Sequence, residues 1–228
     1  MKAILDENDL KTIFGGPEPN KIYQPAKLTW LTLLNFAIIF IVIFFFSYFV
    51  INAPALIKKF QYTWDTSIKK QAFSKAVTTP TPQAFNQTAE AQLVIPKIGV
   101  DAPIIWNIEN KDLNAKLLEG VVHSSGTALP GAVGNIFITG HSSYYSWVQS
   151  PYKDVFALLD SIGPGDQIFI KYNNKIFTYQ VNTKKIVSPN ETSVMNQGNG
   201  YNLSLMTCVP VGTNLNRLII SASQLSIE

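Results

Sequence analysis

The chain has 228 residues, 46% of them hydrophobic and only 14% charged, against about a quarter charged in an ordinary soluble protein. The net charge of +3 comes from scattered lysines that nowhere alternate with aromatics, so nucleic acid is not an expected partner. A single thiol, Cys208, excludes an internal disulfide; with only two distant histidines, His123 and His141, it makes no zinc-ligand pattern, so neither a metal nor another cofactor is expected.

Residues 1–27 form a polar tail in which Asp6, Glu7, Asp9 and Glu18 offset the lysines. From Leu28 to Ala53 no charge occurs, and the run exceeds the roughly 20 residues that a helix needs to cross hydrocarbon. A transmembrane helix over 28–53 is therefore expected. Ala53-Pro54-Ala55 has the small residues of a signal-peptide cleavage site, but the apolar run is far longer than a signal core, which favours an uncleaved anchor. Orientation does not follow from charge, because Lys11, Lys21 and Lys27 on one side are balanced by Lys58, Lys59, Lys69 and Lys70 on the other.

Residues 54–91 are lysine-studded and then rich in Thr, Pro, Gln and Ala, which reads as a stalk. Its first part, to about Lys75, is compatible with a polar helix continuing from the membrane, and Pro80 with Pro82 would end any such helix. Residues 92–228 read as one mainly β domain. Strands are predicted near Gln92–Ile95, Gly99–Ile105, Asn135–Thr139, Gln167–Tyr172, Lys175–Ile186, Leu203–Cys208 and Arg217–Ser223, with short helical pieces at Lys111–Leu118 and Asp154–Leu159. Asn173-Asn174 and Gly163–Asp166 read as tight turns. Seven or eight short strands suggest a closed or partly closed barrel, with a sandwich as the alternative.

Three chemically active side chains stand at predicted strand ends. Cys208 ends LSLMTC, and Arg217, the sole Arg, opens RLIISA after an eight-residue connection. If these strands form an antiparallel hairpin, the two residues face each other at its mouth. His141 ends NIFITGH, where Gly140 permits a sharp exit. A thiol, an imidazole and a guanidinium so placed supply a nucleophile, a proton carrier and an oxyanion or substrate clamp.

The blocks HSSGTALPGAVGNIFITGH (His123–His141) and LSLMTCVPVGTNLNRLIISA (Leu203–Ala222) closely resemble the sortases, membrane-anchored cysteine transpeptidases of bacterial cell surfaces. The similarity covers about Gln92–Ser223. It implies a closed sortase-like barrel of seven to eight strands behind one N-terminal transmembrane helix, with the N-terminus cytoplasmic and the barrel outside. It further implies that Cys208, His141 and Arg217 are catalytic and that Thr207, beside the nucleophile, contacts substrate. The expected partners are surface proteins with a C-terminal LPxTG-like sorting signal and an amine acceptor on peptidoglycan precursor or a pilin. Without an Asp-Pro lid motif, and with the sequence stopping at Glu228, the resemblance is to single-anchor housekeeping or class D-like members more than to pilin polymerases. Calcium sites of some members cannot be placed on these dispersed acids. His123, within the resembling block but remote from the Cys, reads as a structural or pocket-wall residue. Rival readings are a membrane-tethered peptide-binding module without turnover, a pilin-polymerising sortase, and an L,D-transpeptidase, whose Ser-His-Gly-Cys block is absent.

Overall fold

The predicted strands are short apolar runs rich in Val, Ile, Phe and Tyr, broken by Gly, Pro and Asn, and a sheet closed on itself buries one side of such strands without leaving an open edge. The protein is described here by a computed structural model over residues 6–14, 29–68 and 91–228. Eight strands form: β1 (Ala91–Ile95), β2 (Val100–Ile108), β3 (Val121–Ser124), β4 (Gly134–Thr139), β5 (Gln167–Tyr172), β6 (Lys175–Val187), β7 (Tyr201–Val209) and β8 (Asn216–Ile227). They close in the order β1-β2-β3-β4-β7-β8-β6-β5, and β5 returns to pair with β1. The β2–β3 and β4–β7 pairs are parallel and the others antiparallel. The architecture is the closed barrel, not the sandwich.

Inside, β-branched and aliphatic side chains recur at every second position. Leu93 and Ile95, Ile136 and Ile138, Ile168 and Ile170, Leu203 and Leu205, and Leu218 and Ile220 belong to one buried cluster that fills the barrel. All seven predicted strands recur, most of them a residue or more longer, while β3 is additional. Val121–Ser124 is only four residues long and buried at every position, so no alternation marks it. Helix is scarcer than expected. Lys111–Leu118 contains only α3 (Leu113–Lys116), and Asp154–Leu159 is a chain of turns ending in the single 3-10 turn Leu159–Ser161. Val155, Phe156, Ala157, Leu158 and Leu159 are all buried; a segment apolar on every side plugs the structure instead of lying on it as an amphipathic helix. The Asn173-Asn174 turn has φ of 50° and 60°, the left-handed pair that a two-residue hairpin requires.

Before the barrel lie α1 (Glu7–Phe14) and α2 (Trp30–Ile68). The chain divides into two compact units, Met1–Ile43 and Phe44–Glu228, with the boundary inside α2. Trp30–Ser47 is exposed around its whole circumference and, at 1.5 Å per residue, is about 27 Å long, close to the hydrocarbon thickness of a bilayer. From Tyr48 onward one face of α2 is covered. Ala53-Pro54-Ala55 lies within the helix, Ala55 packs with Ala157 and Val211, and Lys58 pairs with Asp154 at 3.4 Å. The start of the segment read as a stalk is thus packed against the barrel. Pro80, Pro82 and the rest of 69–90 lie outside the described residues.

Candidate active site

Strand register builds the site. β4 and β7 run parallel with pairs from Gly134↔Tyr201 to Thr139↔Met206. The last pair lies two residues before His141 and Cys208, and the same offset of 67 separates those two positions. On the other side of β7, Cys208 and Arg217 are direct antiparallel partners. Leu203 and Leu205 turn into the core, so the alternation of the strand turns Ser204, Met206 and Cys208 out. Adjacent paired residues share a face, so Cys208 and Arg217 lie together on the outward side of β7 and β8, while His141, two residues past the end of β4, keeps the parity opposite to the core residues Ile136 and Ile138.

Local contacts hold these positions. Gly140 N–H donates to Met206 O at 3.1 Å, and Thr207 Oγ1 donates to Gly140 O at 2.8 Å. Thr207 is 2% exposed. Its hydroxyl fastens the end of β4 to β7, and its parity, shared with Leu203 and Leu205, points it inward. Gly140 has a different use from the expected sharp exit. A Cβ there would lie 2.4 Å from the Phe156 ring, and Phe156 N–H donates to His141 O at 2.9 Å. The apolar plug therefore seats the His141 backbone.

The His141 ring packs at a tilt of 37° against Tyr144 with centroids 4.8 Å apart, and its buried Nε2 has no hydrogen-bond partner. Burial holds its pKa below the ordinary 6.5, because the charged imidazolium is poorly solvated there. Cys208 is a free, half-buried thiol. Arg217 Nη1 donates to the carbonyls of Asn214 and Asn216 at 3.0 and 3.1 Å, so in this state the guanidinium folds onto its own loop.

His123 is not part of this group. It lies in β3, not in a loop, and is fully buried. Asn107 N–H donates to its Nδ1 at 3.3 Å, and Nε2 lies 2.9 Å from Ala128 O and 2.8 Å from Thr127 Oγ1. This makes Nε2 the protonated nitrogen and the ring neutral.

A cavity of about 320 Å³ opens on the outward face of the same strands. Asn135, Ser204, Ser221 and Ile219 line its floor, and the 193–198 segment forms a wall. Ser204 is four residues from Cys208 on one face, about 13 Å along the strand. The wall is tied down by Gln197, whose Oε1 accepts from the N–H groups of Ala128 and Asn135 at 3.0 and 3.2 Å. Among the described residues no three His, Cys, Asp or Glu side chains converge as metal ligands.

The Sortase domain matches residues 93–225. The chain belongs to the sortase family. Among curated relatives, Sortase D of Bacillus subtilis is 30% identical over 67% of this chain and 76% of its own length. Sortase SrtE1 of Streptomyces coelicolor is 29% identical over 57% of this chain, a match that spans 38% of that protein. The crystal structure of sortase C-1 from Actinomyces oris superposes with a TM-score of 0.51 at 30% identity, covering 60% of this chain and 73% of that one.

Sortases are cysteine transpeptidases, and α2 is long and apolar enough to cross a membrane. The sequence brings Cys208 and Arg217 together through their shared hairpin. It does not point to Gln197, Ser143 or Phe156. Their contacts lie across other loops, and no local pattern of residue types signals them.

Proposed function

We propose that the protein is a membrane-anchored transpeptidase that cleaves an LPxTG-like sorting signal and joins the surface protein to an amine acceptor. The reading is supported above all by the direct pairing of Cys208 with Arg217 on β7 and β8, with His141 following the end of β4, the parallel neighbour of β7. Cys208 as thiolate attacks the scissile carbonyl, and Arg217, released from the Asn214 and Asn216 carbonyls, donates to the developing oxyanion or the substrate backbone. His141 as imidazolium gives its proton to the departing amine, leaving a thioacyl enzyme. An acceptor amine on peptidoglycan precursor or a pilin then attacks the thioester, passes its proton to the neutral His141 and releases the Cys208 thiolate, which restores the starting pair. In this reading the polar cavity beside Ser204 receives the sorting signal upstream of the scissile bond, residues 28–53 form the anchor, the tail 1–27 is cytoplasmic and the barrel is extracellular.

The unpartnered Nε2 of His141 suits a group that must take and give a proton, since no protein contact has to be broken first. The test is mass spectrometry of the enzyme mixed with an LPxTG peptide. A thioacyl adduct on Cys208 that disappears when a glycine-amide acceptor is added is the expected result. A chain that binds the peptide but never forms the adduct is a binding module. Comparing surface proteins with and without the gene then identifies the motif cut and the acceptor joined.

A further inference from the structure

Two loops adjoin Cys208, Arg217 and His141, and α2 touches both. Between Cys208 and Arg217 runs the loop 210–215, and its Gly212 is held from two sides. On one side Gly212 N–H donates to Ser143 Oγ at 2.9 Å, two residues past His141. On the other side lies Asn52 of α2, only 6% exposed, its amide donating to Tyr48 O at 3.0 Å. The fit is close: a Cβ on Gly212 would lie 2.6 Å from both Cγ and Oδ1 of Asn52. One turn before Asn52, Tyr48 Oη donates to Val211 O at 2.9 Å.

The same helix also grips the His141 segment. Ala55 is buried with Ala157 and Val211, and Lys58 and Lys59 pair with Asp154 and Asp160. Those lysine pairs are partly exposed, and such pairs contribute little. Tyr48 and Asn52 are different in kind. They place a half-buried hydroxyl and a buried amide within an otherwise apolar stretch, where a polar side chain is costly unless it is bonded.

We infer that Tyr48 and Asn52 are positioning residues of the active site: they press the 210–215 loop, through Gly212, onto Ser143 and so set the spacing between Cys208 and His141. The inference rests on the proposed roles of Cys208 and His141. The thiol sits near the end of β7 and the imidazole two residues past the end of β4, where each segment runs into a loop that the barrel ladder no longer fixes. The Gly212–Ser143 hydrogen bond joins those loops, and α2 backs it. Displacement of about 1 Å between reacting groups is enough to lower turnover by about a hundredfold, so a helix seated on this junction governs kcat without touching substrate.

The test uses the full chain in detergent, with turnover of an LPxTG peptide in the presence of glycine amide. Gly212→Ala is expected to lower kcat about 10- to 100-fold with KM changed by less than about twofold, because the new methyl collides with Asn52 and moves the loop. Adding Asn52→Ala to that variant removes the colliding amide and is expected to restore kcat at least about fivefold. Tyr48→Phe keeps the ring and loses only the bond to Val211, and should lower kcat about three- to tenfold at unchanged melting temperature. Wild-type kcat in Tyr48→Phe overturns the inference whether or not the Gly212 variant folds. A Gly212→Ala loss that Asn52→Ala leaves untouched overturns it too, since strain at φ +85° alone would then account for the defect. Failure of the underlying reading looks different: Cys208→Ala would retain turnover, or the wild-type chain would have none.

Discussion

The two histidines of this chain stand at the ends of neighbouring strands and share a lowered pKa from burial, yet their surroundings differ in the respect that matters for chemistry. Around His123 every ring nitrogen is bonded, to Asn107, Thr127 and Ala128, and Trp106 covers the ring at 4.9 Å. Around His141 the ring packs at a tilt against Tyr144, and its buried Nε2 is left without a partner. A satisfied histidine holds backbone together. An unsatisfied one, just past a strand parallel to the thiol's, has a proton site free for a reacting group.

The comparison predicts a sharp division between the rim and the interior. Cys208→Ala should lower turnover by at least about 10⁴-fold while the melting temperature stays at the wild-type value, since this rim thiol fills no core volume. Turnover at the wild-type rate would end the assignment of the rim as the site. His141→Ala should lower kcat about 10²- to 10⁴-fold, the range for losing a general acid. The pH profile sharpens this. Activity needs thiolate and imidazolium together, so the acid limb is set by whichever group has the lower pKa and lies no higher than that of His141. A kcat/KM profile for wild type should therefore have its acid midpoint below 6.5. A bell that persists in His141→Ala and vanishes in His123→Ala would exchange the two residues' roles, and an acid midpoint above 6.5 would rule out an imidazolium of lowered pKa as the acid.

Arg217→Lys should reduce kcat/KM about ten- to a thousandfold, because one ammonium does not reproduce a planar fork able to leave two carbonyls and grip another. Retention of more than half the activity would make the loop contacts its whole function. The smallest effect on catalysis is expected at His123. His123→Ala should keep kcat within about threefold per folded molecule and cost about 2–4 kcal/mol of stability, from the cavity and the stranded Asn107 and Ala128 groups. The sign with pH follows from the lowered pKa. The unfolded chain binds protons that the folded chain refuses, so His123 contributes stability above about pH 6.5 that is lost as pH falls toward its folded pKa. A melting temperature that declines with acid equally in wild type and His123→Ala would show that its charging is not what destabilises the fold.

Much of the barrel and part of its rim are legible in the amino-acid sequence alone. Apolar runs bounded by turn residues announce seven strands, and the Cys208–Arg217 hairpin follows from one short loop between two strong runs. His141 is legible only as a strand end beside a glycine. Its partnership with Cys208 depends on parallel pairing of β4 and β7, which leaves no local trace. The place of Thr207 next to the thiol suggests a substrate contact, while its facing, opposite to that of Cys208, puts it in the interior. Tyr48 and Asn52 are hidden within a run whose apolar character speaks only of membrane.

The parallel pairing of β4 with β7 has a consequence for how the protein comes to exist. Antiparallel neighbours zip from a turn, but these two strands are joined only through 61 intervening residues, Gly140–Gly200, that must first wind through β5 and β6. Closing so long a connection is entropically unfavourable and slow compared with hairpin formation. During synthesis Cys208 therefore emerges with no imidazole beside it, and thiol and base meet only as the barrel closes. Reactivity arrives with completion of the fold, and a chain stalled partway carries an unassisted thiol in place of a working nucleophile.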